Sequence, residues 1–223
     1  MHAAIPRCEK RVPRVLLINA NTTRSVTDLI EHHARKAIDK HVEIRAVTAA
    51  FGAPYVSTEA AYAVAGHAAL DCLQRHAKGC DAVLLACFGD PGLFALREQS
   101  ELPVLGMAEA CMAEAAKRGR FSIITGGPAW KPMLERLAVA LGYGDALASV
   151  RALPLTGPAL AADPSTIPEE VRKAVEEDGA RSVIIGGAAL AGIAGRMAER
   201  AGVPLIDSVA CSARAVANLC SRS

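Results

Sequence analysis

The 223-residue sequence lacks any run of the roughly 18 apolar residues that crossing a bilayer requires, any low-complexity segment and any excess of one charge. Its 25 basic and 23 acidic residues are spread along the chain and leave a formal net charge of +2, so no basic stripe or acidic tail points to nucleic acid or a membrane surface. A small molecule is the expected partner. The seven cysteines, Cys8, Cys72, Cys80, Cys87, Cys111, Cys211 and Cys220, are odd in number and form no C-x-x-C pair, which argues against a disulfide framework and against a thiolate zinc site. None of the six histidines falls on a strand-end turn, so a histidine metal site or triad is not expected. Gly126-Gly127 has no G-x-G-x-x-G spacing, which removes the usual nicotinamide fingerprint. No metal or cofactor is called for. The first dozen residues carry Arg7, Glu9, Lys10 and Arg11 in place of a signal-peptide core, and a cytoplasmic location is the expectation.

A hydrophobic fraction of 52% supplies ample core material. Short apolar runs (15–18, 42–47, 82–87, 104–105, 121–124, 150–155, 183–185, 203–206) alternate with helical patterns (25–38, 59–75, 128–141, 168–177, 190–200). This βαβα order predicts an α/β fold with parallel strands covered by helices on both faces. An internal repeat refines the prediction: residues 81–92 lie over 181–192 at an offset of 100, and 14–21 lie over 120–127 at an offset of 106. Two pseudo-symmetric lobes follow, with an active site in the cleft between them. The expected division is an N-terminal arm over 1–13, a first lobe over 14–118 on which a C-terminal helix over 208–223 packs, and a second lobe over 119–207. The stretch 161–168 reads as a loop.

In parallel sheets ligands sit beyond the carboxyl ends of the strands. The turns there are Asn19-Ala20-Asn21-Thr22-Thr23, Cys87-Phe88-Gly89-Asp90-Pro91-Gly92, Thr125-Gly126-Gly127 and Gly186-Gly187-Ala188-Ala189. The repeat pairs the first with the third and the second with the fourth. Cys87 ends a strand shortly before a helix expected to start near Pro91 with Asp90 as its N-cap, where backbone N–H groups should lower the thiol pKa and hold an anion. Asn19, Asn21, Thr22 and Thr125 can cap helices and line the cleft at once. Cys72, Cys80, Cys111, Cys211 and Cys220 read as small buried hydrophobes on or beside helix faces.

Leu17-Ile18-Asn19-Ala20-Asn21-Thr22, the Gly52-Ala53-Pro54 turn with Ser57-Thr58-Glu59, the run Ala86-Cys87-Phe88-Gly89-Asp90-Pro91-Gly92-Leu93, and Gly106-Met107-Ala108-Glu109-Ala110 together resemble the aspartate/glutamate/hydantoin racemase superfamily, most of all its hydantoin and allantoin racemases. The resemblance covers nearly the whole chain from Arg14. It implies an isomerase without metal or cofactor, in which two cysteines face each other across a stereocentre, and it maps the first onto Cys87. The second maps onto Gly187, where such enzymes typically read Gly-Cys-Ala-Gly, and the internal repeat independently sets Gly187 opposite Cys87. The Pro usually found between the two Asn residues is Ala20 here.

The expected catalytic residue is therefore Cys87, and the expected substrate-binding residues are Asn19, Phe88, Gly89, Thr125, Gly126, Gly187 and Ala188. The expected substrate is a small carbonyl compound with an acidic C–H, hydantoin- or allantoin-like. Alternatives are a single-cysteine decarboxylase of the arylmalonate type and a binding protein or racemase variant inactivated at position 187. Symmetric homo-oligomerisation is expected to complete the cleft.

Overall fold

The computed structural model describes residues 11–38 and 41–220. Most of the expected arm, with Cys8 and His2, lies outside them, as do residues 221–223. Two four-stranded parallel sheets form the framework. The first is ordered β2 (Glu43–Thr48), β1 (Arg14–Asn19), β3 (Ala82–Leu85), β4 (Val104–Gly106). The second repeats that order as β6 (Leu147–Leu153), β5 (Phe121–Gly126), β7 (Ser182–Ile185), β8 (Leu205–Asp207). The pseudo-symmetric lobes read from the repeat are thus present, each sheet reversing its strand order between its first and third strands.

The central strands are buried on both faces, which is why they read as unbroken apolar runs. Leu16, Leu17 and Ile18 of β1 pair in register with Val83, Leu84 and Leu85 of β3, and Ser122, Ile123 and Ile124 of β5 with Val183, Ile184 and Ile185 of β7. The helices α1 (Arg24–Ala37), α2 (Glu59–His76), α3 (Leu93–Gln99), α4 (Met107–Ala116), α5 (Trp130–Ala140), α6 (Gly157–Ala162), α7 (Ile167–Glu176), α8 (Ile193–Met197) and α9 (Ser208–Cys220) connect and cover the strands. The last helix of each half crosses over. α4 packs on β5, β7 and β8, α9 packs on β1, β3 and β4, and the two helices pack on each other.

Several local expectations need correction. The sixth strand starts three residues before Val150, because a register irregularity between Phe121 and Ser122 lets β5 pair from Leu147. The helical pattern over 190–200 is broken into a 3-10 turn (Ala188–Leu190), α8 and a second 3-10 turn (Ala198–Arg200), with Gly192 in the left-handed region at φ 81°. The expected loop over 161–168 begins inside α6, which Thr156 caps by accepting from the Ala159 N–H at 3.3 Å, with Pro158 in its first turn. Asp90 does not cap the helix that follows it. That helix begins at Leu93 after a left-handed Gly92, and Gly192 takes the same conformation at the corresponding position of the second half.

Candidate active site

The Asp90 carboxylate caps a different helix. Its Oδ1 accepts from the Ala108 N–H at 2.9 Å and its Oδ2 from the Glu109 N–H at 2.8 Å, at the N-terminus of α4. Gly106 makes this possible, since a Cβ there would collide with Asp90 Oδ2. The second half solves the same junction from the other side. Asp207 occupies the position matching Gly106 and accepts from Val209 and Ala210 N–H at the start of α9 and from Gly192 N–H. The Asp90 backbone is held at φ 53°, the one positive φ outside glycine among the described residues, and its N–H donates to the Cys87 carbonyl at 2.9 Å. The turn carrying Cys87 is therefore tied to the start of α4 through a strained residue.

Cys87 and Gly187 line one cavity of about 60 Å³ between the strand ends of the two sheets. Phe88, Thr125 and Ala188 line it as well, together with Asn21, Tyr55, Val56, Trp130 and Pro158. The walls interlock across the halves. A Cβ on Gly186 would run into the Phe88 ring, and a Cβ on Gly89 would run into the Trp130 ring, so each half seats an aromatic ring on a glycine of the other. The Tyr55 hydroxyl donates to the Gly126 carbonyl at 3.3 Å and accepts from the Gly157 N–H at 3.0 Å. Its loop is fastened at the near end by Thr22 N–H to the Ala53 carbonyl at 3.2 Å and the Thr23 hydroxyl to the Pro54 carbonyl at 2.7 Å.

Three of the expected binding residues stand behind the wall. Asn19 is fully buried, and its Nδ2 donates to Asn21 Oδ1 and Thr27 Oγ1 at 3.0 Å each while its Oδ1 accepts from the Asn21 N–H. Its work is to orient Asn21, whose own Nδ2 has no protein acceptor among the described residues and whose side chain borders the cavity. Gly89 presents its carbonyl to the Tyr62 hydroxyl at 2.8 Å, and Gly126 serves Tyr55. Tyr55, Val56, Trp130 and Pro158 were not expected from the sequence. The Gly-Ala-Pro turn before Tyr55 marked the right loop, but only the fold brings that loop over the second half.

The expectation of a low thiol pKa is overturned. Burial first, and the Asp90 charge second, push Cys87 up to about 12, so the site holds a neutral thiol. Burial also lifts Asp90, up to about 7, with the Ala108 and Glu109 amides opposing the rise. The helix expected after Cys87 begins too late for its N–H groups to favour a thiolate. The N–H groups of Phe88, Gly89, Ala188 and Ala189 donate to no protein acceptor among the described residues, and Thr125 Oγ1 likewise has no partner there. A Cβ on Gly187 would make ordinary contacts, the nearest to Leu190 at 3.6 Å and Thr125 Oγ1 at 3.9 Å, but the backbone sits at φ 136°, ψ 135°, a conformation that L side chains rarely adopt. No group of three or more His, Cys, Asp or Glu is arranged to hold a metal ion among the described residues.

A family model described as Asp/Glu/Hydantoin racemase matches residues 15–216. A hydantoin racemase from Pseudomonas sp. (strain NS671) is 33% identical over 202 residues, covering 88% of this chain and 81% of that protein. Among solved structures, an allantoin racemase from Pseudomonas fluorescens superposes with a TM-score of 0.87 at 31% identity, covering 94% of this chain and 91% of the other. One from Klebsiella pneumoniae gives 0.86 at 30% identity, covering 94% and 88%.

Proposed function

The chain belongs to the Asp/Glu/hydantoin racemase family, and on that premise we propose that Cys87 exchanges the acidic C–H proton of a small hydantoin- or allantoin-like ring on one face only, position 187 offering no second thiol. The observation that carries this reading is that Cys87 and Gly187 occupy matching turns of the two halves and border the same cavity. A planar ring between those turns has its carbonyl oxygens within the province of the unpaired Phe88, Ala188 and Ala189 N–H groups. As the proton leaves carbon, negative charge moves onto those oxygens, and fixed donors in a cavity with mostly apolar walls stabilise it with little reorganisation. The lining carries no Lys or Arg, which suits an uncharged or singly anionic ligand and not a phosphate.

The thiol's state divides the reaction unequally. Cys87 as a thiol is ready to deliver a proton to the carbanion, whereas proton abstraction first needs its thiolate. With the thiol near 12, forming that thiolate at pH 7 adds roughly 7 kcal/mol to the barrier of the abstraction step. Gly187 supplies no acid on the opposite face, and the Thr125 hydroxyl beside it is too weak an acid at neutral pH to replace a thiol. Exchange with retention therefore outruns inversion. The test is substitution: Cys87→Ser should abolish exchange, and Gly187→Cys should add inversion to it. Exchange that survives Cys87→Ser would remove the thiol from the mechanism.

A second reading draws on the same neutral thiol. A lone thiol held protonated is suited to quench the carbanion left when an arylmalonate loses CO₂. Release of CO₂ from phenylmalonate, with no proton exchange into any hydantoin, would favour this decarboxylase over the racemase-type reaction.

A further inference from the structure

The two turns that face each other across the cavity are each fastened to the first turn of a helix. Asp90 docks on α4 as described, and Gly187 exchanges hydrogen bonds with the Ser208 hydroxyl at the start of α9, N–H to Oγ at 3.3 Å and Oγ to the carbonyl at 3.4 Å. The separation of the turns is thus coupled to the seating of α4 on α9. About one helical turn further along, Cys111 and Cys211 meet at that helix contact. Cys111 Sγ donates to the Ser208 carbonyl at 3.6 Å, and Cys211 Sγ donates to the Ala110 carbonyl at 3.7 Å. Each thiol lies against the opposite helix, with Cys211 Sγ touching the residue next to Cys111. Both are free thiols. Cys111 is fully buried, while Cys211 lies on a groove of about 670 Å³ that Lys117 and Arg214 also line.

We propose that Cys111 and Cys211 form an oxidisable pair, which a peroxide converts into an intrachain disulfide clamping α4 to α9 beneath the cavity. The adjoining Cys111 thiol pulls the Cys211 pKa below its ordinary value, with Arg214 and Lys117 acting in the same direction, so the groove-facing sulfur is the attacking one. Cys211 thiolate attacks one oxygen of hydrogen peroxide, the O–O bond breaks, and hydroxide leaves to become water. Cys111 then loses its proton and attacks the sulfenic sulfur, expelling the second oxygen as water. The balance is two thiols and one H₂O₂ giving one disulfide and two waters, the sulfurs losing two electrons and the peroxide gaining them.

A disulfide holds its sulfurs at about 2.05 Å and its Cα atoms about 4.4–6.8 Å apart, so closing it fixes the spacing of the two helices, and any adjustment to that spacing is a shift of α4 against α9. Because α4 holds the Cys87 turn and α9 holds the Gly187 turn, such a shift would change the width of the cavity. Misplacement on the order of an ångström can cost about a hundredfold in rate, so a loss of tenfold or more in proton exchange is expected on oxidation. The existence of the pair does not depend on the proposed reaction, while this consequence rests on it.

The experiment treats the intact protein with stoichiometric hydrogen peroxide and maps its peptides by mass spectrometry before and after dithiothreitol. Wild type and Cys87→Ser should both yield a reducible cross-link joining the Cys111 and Cys211 peptides. Hydantoin proton exchange in wild type should fall at least tenfold and recover on reduction. Cys211→Ala and Cys111→Ala should each keep their exchange under the same treatment. No cross-link in wild type, or a cross-link through other cysteines, overturns the assignment, and a reversible loss that persists in both Ala variants overturns the clamp. If the cross-link forms in a protein that exchanges no substrate proton even when reduced, the pair stands and the proposed reaction falls.

Discussion

Asp90→Asn isolates one buried carboxyl that joins the Cys87 turn to α4. The folded protein raises this group from an ordinary 3.8 to about 7, chiefly by burial. Below pH 3.8 both the folded and unfolded chains hold the proton, and the group contributes no pH dependence. Between 3.8 and 7 the folded chain keeps a proton that the unfolded chain has lost, so raising the pH through that window removes stability. Above 7 the buried site must ionise and the loss is complete. At about 1.4 kcal/mol for each tenfold in proton affinity, the whole change comes to about 4 kcal/mol. The amide introduced by Asp90→Asn does not titrate, so the perturbation is best read as a difference between proteins. Urea unfolding at a series of pH values from 4 to 8.5 should show wild type losing about 4 kcal/mol more than Asp90→Asn across the range. Asp90→Asn also places an NH₂ group against one of the two amides that Asp90 now accepts from, an offset of about 1–3 kcal/mol that is the same at every pH. Parallel stability curves would refute the claim that burial at the start of α4 controls this carboxyl.

The neutral Cys87 thiol has a kinetic counterpart: iodoacetamide should label it slowly at pH 7, and both labelling and substrate proton exchange should rise about tenfold per pH unit between 8 and 10. A pH-independent labelling rate would contradict a thiol held near 12. Gly187→Cys should fold but lose about 1–3 kcal/mol in urea titrations, because the Cβ has room and the φ of 136° does not suit it. Tyr55→Phe leaves the Gly157 N–H without its acceptor and severs the bond to Gly126, so stability should fall by about 1–3 kcal/mol and limited proteolysis should find the 50–58 loop sooner. Gly106→Ala should displace the Asp90 carboxylate and reduce exchange sharply, and an unchanged rate would show that the Cys87 turn does not need that anchor.

The parallel sheets were legible because strands buried on both faces must be apolar throughout, and the offset of 100 residues located Gly187 opposite Cys87 before any coordinates. What the sequence concealed depends on contacts between distant segments. Asp90 sits two residues before a left-handed glycine and looks like a local cap, yet its carboxylate finds donors 18 and 19 residues away. Asn19 and Asn21 look equivalent in sequence, but Asn19 turns into the buried network with Thr27 and leaves Asn21 at the cavity. Trp130 carried no motif. Only the glycine at position 89, which gives its ring a seat, could have signalled it. The thiol pKa went the other way from the local expectation because burial outweighs the few N–H groups that the Cys87 turn can offer.

That one thiol works on one face of the bound ring is tested most directly in D₂O, by incubating the protein with each enantiomer of a 5-substituted hydantoin that racemises slowly on its own. Deuterium at the stereocentre is followed by NMR and optical activity is followed in the same sample. Deuterium should enter one enantiomer with retention while its optical activity persists, and Cys87→Ser should stop the label. Optical activity that decays as fast as deuterium enters would contradict the one-thiol, one-face mechanism, by showing that a group other than a residue-187 thiol delivers a proton to the second face.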